Sequence, residues 1–391
     1  MKIAVAVLFG GKSVEHEVSV ISAVQAMASM DTDTYEIIPV YMSKNSEFFY
    51  GESLKDIEAY KDIPALLATC QRVGFHVRGD RTYLESESPR AFSRRFSRLI
   101  DVAFPIVHGT NVEDGALQGF LETVNLAYVG PNVLASAVGM DKITMKVLLA
   151  DGGFPVLPGR RFSVQDWQDN GIVGEVEQTF SYPVIVKPVN LGSSVGIGKA
   201  STAEELRGCL DVAFSFARYV LVEPAIQNLR EINCSVVGDA SHAEASECEE
   251  PIMSDEILSY EDKYVSSGKG GGSKGMASLK RKIPAEITDE QRDHVRQLAV
   301  DAFKFLDLAG VTRVDFLMDA VTEEIWINEV NTIPGSLSFY LWEPIGVSYP
   351  ELLSRLITLA LKRQRETGEL SYTFDTNILA GAWLGSKGSK V

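Results

Sequence analysis

Two short segments of this sequence carry the side chains best suited to chemistry: Arg313-Val314-Asp315 and Asn328-Glu329-Val330-Asn331. Thr312 to Met318 is β-branched and apolar, Asp319 to Glu324 is turn-like, and Ile325 to Val330 is apolar again, which predicts a β-hairpin. Centred near Val321 and Thr322, such a hairpin sets Asp315 opposite Glu329 and Arg313 opposite Asn331, all on one face, because side chains two apart on a strand point the same way. Directly opposed carboxylates about 5 Å apart repel one another and call for a positive charge between them. Mg²⁺ suits the place, since it prefers hard oxygen ligands and takes one or two carboxylates together with phosphate oxygens. The plainer alternative is a solvated hairpin face whose charges have no particular partner.

A second group of residues suits phosphate. Lys187 ends the apolar run Tyr182 to Val186, and Gly192-Ser193-Ser194-Val195-Gly196 follows it closely. Small residues let backbone N–H groups approach phosphate oxygens while the ammonium supplies charge. The spacing is not that of a Walker loop. Met140-Asp141-Lys142 opens a predicted helix upstream, Glu223 ends the predicted strand from Tyr219, and Glu231 begins another. Two lysines for phosphates, two acids for the ribose and adenine edges, and an acidic hairpin for Mg²⁺ make a complete ATP site.

The elements that must position these residues begin with a buried strand, Ile3 to Leu8, then Gly10-Gly11 and a helix from about Glu15 to Met30 capped by Ser13. Gly10-Gly11 lacks the dinucleotide fingerprint, so a parallel α/β N-terminal domain without a nicotinamide site is expected. His108 follows the buried strand Val102 to Val107, at the strand end where α/β ligands bind, although a lone histidine there is more often structural. Glu113 and Asp114 read as favourable helix-starting acids. A length of 391 residues calls for more than one domain, and 45% hydrophobic with 23% charged residues is an ordinary globular composition. The net charge of −16 argues against nucleic acid or an anionic membrane as main partner. The N-terminal apolar run is too short to span a membrane. The four cysteines show no zinc or redox spacing and read as reduced thiols of a cytoplasmic protein.

In order, Phe9-Gly-Gly-Lys-Ser-Val-Glu15-His-Glu17, His108-Gly through Glu113-Asp-Gly to Gln118-Gly, Met140-Asp-Lys142, Lys187-Pro through Gly196, Asp262-Lys263-Tyr264, Arg313-Val-Asp315 and Asn328 to Gly335 make a chain that resembles the D-alanine–D-alanine ligase family of the ATP-grasp superfamily over roughly residues 1 to 360. The resemblance implies a three-domain α/β ATP-grasp architecture with a parallel N-terminal sheet: residues 1–130, 131–224 and 225–370, with a mobile lid at 258–284 and a tail at 371–391. It implies ATP-dependent joining of two D-alanine molecules through an acyl-phosphate for peptidoglycan, with two Mg²⁺ ions, for which Mn²⁺ could substitute, on Asp315, Glu329 and Asn331. Lys142, Lys187, Lys263 and the Gly192, Ser194 and Val195 loop would hold the nucleotide, with Glu231 at the ribose and Glu223 in the hinge near adenine. Arg313 would neutralise the oxyanion, Glu15 would bind the first substrate's ammonium and join Ser193 and Tyr264 in a hydrogen-bonded set, and His108 would lie near the acyl-phosphate. Homodimers are common among similar proteins, but no stretch of this sequence reads as a dimer surface.

The chain departs from the family's pattern in two places. After Gly335, where familiar members place a threonine and then a serine for the second substrate's carboxylate, it reads Ser336-Leu-Ser338-Phe-Tyr340-Leu-Trp342, with Tyr340 at the serine's place. Ser336, Ser338 or the Tyr340 hydroxyl could serve, which leaves D-serine or D-lactate open as second substrate, and a non-catalytic nucleotide-binding paralogue as the alternative of another class. The lid is long and basic, and Lys269, Lys274, Lys280, Arg281 and Lys282 could neutralise phosphates or only solubilise a flexible loop. Phe339, Tyr340 and Trp342 read as packing, and the leucines between Pro350 and Arg363 as a surface helix on the C-terminal domain.

Overall fold

The computed structural model describes residues 2–87, 96–169, 171–252 and 281–371. Three sheets organise the chain. The first has seven strands: β1 (Ile3–Gly10), β2 (Tyr35–Met42), β3 (Phe48–Tyr50), β4 (Gln71–Arg78), β5 (Arg81–Ser86), β6 (Ser97–Ile100) and β7 (Val102–Ile106), in the order β6-β5-β4-β3-β2-β1-β7. Its centre is parallel, β1 pairing with β2 and β7, which is why Ile3 to Leu8 is a nearly uninterrupted apolar run buried on both faces. The expected parallel sheet is thus a mixed one: β3 to β6 add by antiparallel pairing, joined by short connections that parallel crossovers could not use.

The second sheet, antiparallel, comprises β8 (Arg160–Ser163), β9 (Val184–Pro188), β10 (Gly198–Ala200) and β11 (Tyr219–Pro224) in the order β10-β9-β11-β8. The third comprises β12 (Leu229–Gly238), β13 (Ala243–Pro251), β14 (Arg281–Lys282), β15 (Gly310–Asp319) and β16 (Ile325–Asn331), ordered β14-β13-β12-β15-β16, also antiparallel. Helix Asp289–Phe305, started by a Thr288–Gln291 capping box, packs on β12 and β13.

Helix Tyr349–Gly368 corrects an expectation. It is no surface helix of the C-terminal part alone: Leu352, Leu353, Leu356, Ile357 and Ala360 are buried in the same apolar core as β1, β2 and β7, and the helix also packs on β12 and β15. One core therefore holds the first and third sheets together. All four cysteines are free thiols, with Cys234 opposite Cys248 across β12 and β13. Among the described residues no helix is long and apolar enough to cross a membrane.

Candidate active site

The hairpin forms with the register its sequence predicts: Arg313 pairs with Asn331 and Asp315 with Glu329. A bulge follows Asp315, so that Phe316 meets Ile327 and Asn328 becomes the extra residue. Each carboxylate meets a cation of the protein, Asp315 that of Arg313 and Glu329 that of Lys142. The Arg313 guanidinium grips Asp315 in bidentate fashion, Nε to Oδ1 at 2.6 Å and Nη2 to Oδ2 at 2.7 Å, and Asn331 Nδ2 donates to Asp315 Oδ2 at 2.9 Å. Burial alone would lower the Arg313 pKa, but Asp315 holds it well above its ordinary value. Burial pushes the Asp315 carboxyl up, against the pull of Arg313, with Glu329 and Glu249 adding to the rise. Among the described residues no three His, Cys, Asp or Glu side chains cluster as a metal cage. Two carboxylates and an amide oxygen instead fit a hard cation that completes its shell with water and phosphate.

The phosphate lysines come to this hairpin from other elements. Lys142 opens helix Lys142–Asp151, its Nζ 3.2 Å from Glu329 Oε2 and 2.7 Å from the Leu191 carbonyl, which ties the start of the glycine-serine loop to the hairpin. Lys187, on β9, donates to Asn328 Oδ1 at 2.9 Å and to Glu223 Oε1. Glu223 stands at the strand end expected of it: its carboxylate is enclosed at the end of β11, and its second oxygen accepts from Lys146 Nζ at 2.6 Å. Burial opposes its charge, yet Lys146 and then Lys187 hold its pKa down at about 2. Glu231 lies two residues before Asn233, whose register partner is Asp315, so it shares that face of the sheet.

The N-terminal sheet closes the site from its strand ends. Glu15 is buried, and Ser193 Oγ donates to its Oε1, joining the two parts of the chain. A Cβ on Gly192 would lie 2.8 Å from Glu15 Oε2, so a larger residue there would displace that carboxylate. Ser193 and Ser194 both take positive φ, and the Val195 N–H closes this turn onto the Gly192 carbonyl at 3.2 Å. Ser13 is not the cap of the following helix, His16–Ser29; its hydroxyl accepts from Glu15 N–H at 3.1 Å.

His108 has a partner at each ring nitrogen. Nδ1 lies 2.9 Å from the Ile333 carbonyl, so it carries the proton, and Nε2 at 3.3 Å accepts from Ser22 Oγ. Burial pushes its pKa down to about 4 despite the Ile333 bond, and the ring is neutral near pH 7. Ser22 Oγ also accepts from Ser336 N–H at 3.0 Å. Glu113 is not a helix-starting acid: it is buried and accepts from Gly109 N–H at 3.0 Å, Thr332 Oγ1 at 3.0 Å and Ile333 N–H at 2.9 Å. It thereby clasps the segment after β16 to the loop after β7.

That segment continues into an unusual turn. Ser336, Leu337 and Ser338 all adopt left-handed backbone, φ 51°, 53° and 49°, and the buried hydroxyls of Ser336 and Ser338 have no hydrogen-bond partner among the described residues. Tyr340 is buried, its hydroxyl 3.3 Å from Glu249 Oε1 and its ring under the Arg281 guanidinium at 4.0 Å. Arg281 pairs with Glu249 at 2.6 Å and Lys282 with Glu286 at 2.5 Å. Trp342 packs as expected, its Nε1 donating to Ser235 Oγ at 3.1 Å. Lys263 and Tyr264, with Lys269, Lys274 and Lys280 of the expected lid, lie outside the described residues. Lys146, Glu113, Ser22 and Glu249 escape sequence reasoning; only Lys146 leaves a signal there, four residues after Lys142 on one helix face.

Family models match most of the chain: "D-ala D-ala ligase N-terminus" over residues 4–131 and "D-ala D-ala ligase C-terminus" over residues 148–358. The D-alanine–D-alanine ligase of Geobacillus kaustophilus (strain HTA426) is 39% identical over 383 residues, covering 96% of this chain and 99% of that protein. That of Thermoanaerobacter sp. (strain X514) is 41% identical over 371 residues, covering 93% and 97%. Among solved structures, the D-alanine-D-alanine ligase from Coxiella burnetii superposes with TM-score 0.78 at 30% identity, covering 94% of this chain and 96% of that one. The VanG D-Ala:D-Ser ligase from Enterococcus faecalis does so with TM-score 0.75 at 29% identity, covering 92% and 100%.

Proposed function

The chain belongs to the D-alanine–D-alanine ligase family, and on that premise we propose how its residues divide the work of the reaction. The protein is an ATP-dependent ligase of ATP-grasp architecture that joins two D-alanine molecules for peptidoglycan synthesis, using divalent metal ions. In the proposed sequence the first D-alanine carboxylate attacks the γ-phosphorus of ATP, the bond to ADP breaks, and an acyl-phosphate forms. The deprotonated amine of the second D-alanine adds to the acyl carbon, and the tetrahedral intermediate expels inorganic phosphate as the peptide bond forms.

Lys142 and Lys187 hold the phosphates, with the loop through Gly192, Ser194 and Val195 folding over them, and Glu231 takes the ribose. Asp315, Glu329 and Asn331 would hold two Mg²⁺ ions, or Mn²⁺ in their place, which when bound neutralise charge on the phosphates. Arg313 stabilises the oxyanion, a task for which a rigid, always-charged fork is suited. Glu15 receives the first substrate's ammonium. His108, neutral and donating to Ile333, fixes the chain beside the acyl carbon rather than exchanging protons. Ser336 and Tyr340 face the second substrate's carboxylate, Ser336 through its orphan hydroxyl. The proposal includes a homodimer and a cytoplasmic location, where the four thiols stay reduced.

The observation that carries this reading is the meeting of Lys142 with Glu329 at 3.2 Å and of Lys187 with Asn328 at 2.9 Å, which brings phosphate-binding cations onto the acidic hairpin. Phosphate release from ATP should require D-alanine and proceed with D-alanine alone. A protein that hydrolyses or binds ATP without D-alanine-dependent phosphate release would refute the assignment. Adding D-serine or D-lactate reads the second substrate: a faster rate with either would transfer the Ser336–Tyr340 site to that acceptor.

A further inference from the structure

Lys146 is a buried lysine that no role above employs. It lies on helix Lys142–Asp151, and its Nζ is 2.6 Å from Glu223 Oε2, while Lys187 donates to the other oxygen of that carboxylate. Glu223 is only 1% exposed, and both lysine side chains are nearly as deep. One carboxylate and two ammonium groups leave one positive charge in excess within this largely buried trio, a costly state unless an anion completes it. The member able to meet an anion is Lys187, which also reaches Asn328 on the acidic hairpin. Lys142 cannot serve Glu223 instead, because its ammonium is directed to Glu329 and the Leu191 carbonyl.

We propose that Lys146 is a positioning residue for nucleotide binding: it neutralises Glu223, so that the charge of Lys187 is kept for a phosphate oxygen. The inference rests on the reading of Lys187 as a phosphate ligand. Burial depresses the Lys146 pKa, with Glu223 acting the other way. Without Lys146, Glu223 has Lys187 as its one paired cation among the described residues, and a phosphate must compete with a carboxylate already in place.

The test is a double-mutant cycle on the full chain. ADP affinity is measured by calorimetry, and KM for ATP and D-alanine by phosphate release, for the parent, K146M, K146R, E223Q and K146M/E223Q. K146M should weaken ADP binding and raise KM for ATP by about tenfold or more, leaving KM for D-alanine within about twofold. K146R should retain affinity within about threefold, and K146M/E223Q should bind ADP within about threefold of E223Q, the reference that carries any loss due to Glu223 itself. ADP binding by K146M as tight as the parent's would overturn the proposal, and so would a loss from E223Q to K146M/E223Q as large as that from the parent to K146M, since the loss would then come from packing. If thermal unfolding shows K146M to be unfolded, the double variant decides: affinity within about threefold of E223Q supports the proposal and a loss of about tenfold against E223Q overturns it. Failure of the parent itself to bind ADP would instead remove the ATP-site reading on which the proposal stands.

Discussion

At the scale of the residue, the site is a set of charges that answer one another before any ligand arrives. Arg313 holds Asp315 through two parallel hydrogen bonds, a geometry that lysine cannot copy. Arg313→Lys should therefore lower kcat on the order of a hundredfold while KM for ATP changes little, because other lysines hold the phosphates; steady-state kinetics with each substrate varied separate the two constants, and an unchanged kcat would contradict the oxyanion role. His108 gives a pH signature. Its folded pKa, about 4, lies below the ordinary 6.5, so the unfolded chain takes up the proton first as pH falls. Stability contributed at neutral pH is thus lost from about pH 6.5 down to about 4, by up to roughly 3 kcal/mol. Denaturant unfolding across that window should show a shallower acid loss in His108→Gln than in the parent. The placements of Arg313 and Asp315 on one hairpin face and of Lys187 near its strand's end were readable from residue type and neighbours. Those of Glu113, Ser22 and Lys146 were not, because their partners stand far away in sequence.

At the scale of the element, the hairpin and the turn behind it behave differently. The β15 to β16 register follows from local alternation and a short turn, and the sequence alone supplied both. The bulge at Asn328 did not follow, since an extra residue is accommodated by what the strand meets elsewhere, here the Lys187 ammonium. The left-handed run from Ser336 to Ser338 is disfavoured for each residue on its own and is maintained by Ser22 and the core around Leu337. Ser336→Gly should remove both the backbone cost and an unpartnered hydroxyl, holding or raising thermal stability by up to about 1 kcal/mol. If the hydroxyl serves the second substrate, the same variant raises KM for that D-alanine and not for ATP. Differential scanning calorimetry and kinetics under saturating ATP would read the two effects, and an unaltered KM would detach Ser336 from the second substrate.

At the scale of the molecule, catalysis depends on one core shared by the first and third sheets. Glu15, His108 and Glu113 come from the N-terminal sheet, Arg313 and Asp315 from the third, and helix Tyr349–Gly368 packs against both. A fragment of residues 131–371 should expose the apolar face that β1, β2 and β7 cover, self-associate in gel filtration, and show no D-alanine-dependent phosphate release; a monodisperse, active fragment would contradict the shared core. The sequence by itself determined the α/β class, the buried first strand, the hairpin register, the order of the motifs and the family they resemble, because each depends on neighbours within a few residues or on a recognisable series of them. Tertiary structure alone decided that the first sheet is mixed, that Glu223 faces two lysines, that Glu113 clasps the chain after β16, and that helix Tyr349–Gly368 is interior. Those outcomes rest on which distant group reaches a buried charge or an apolar face first, and local spacing carries no record of that competition.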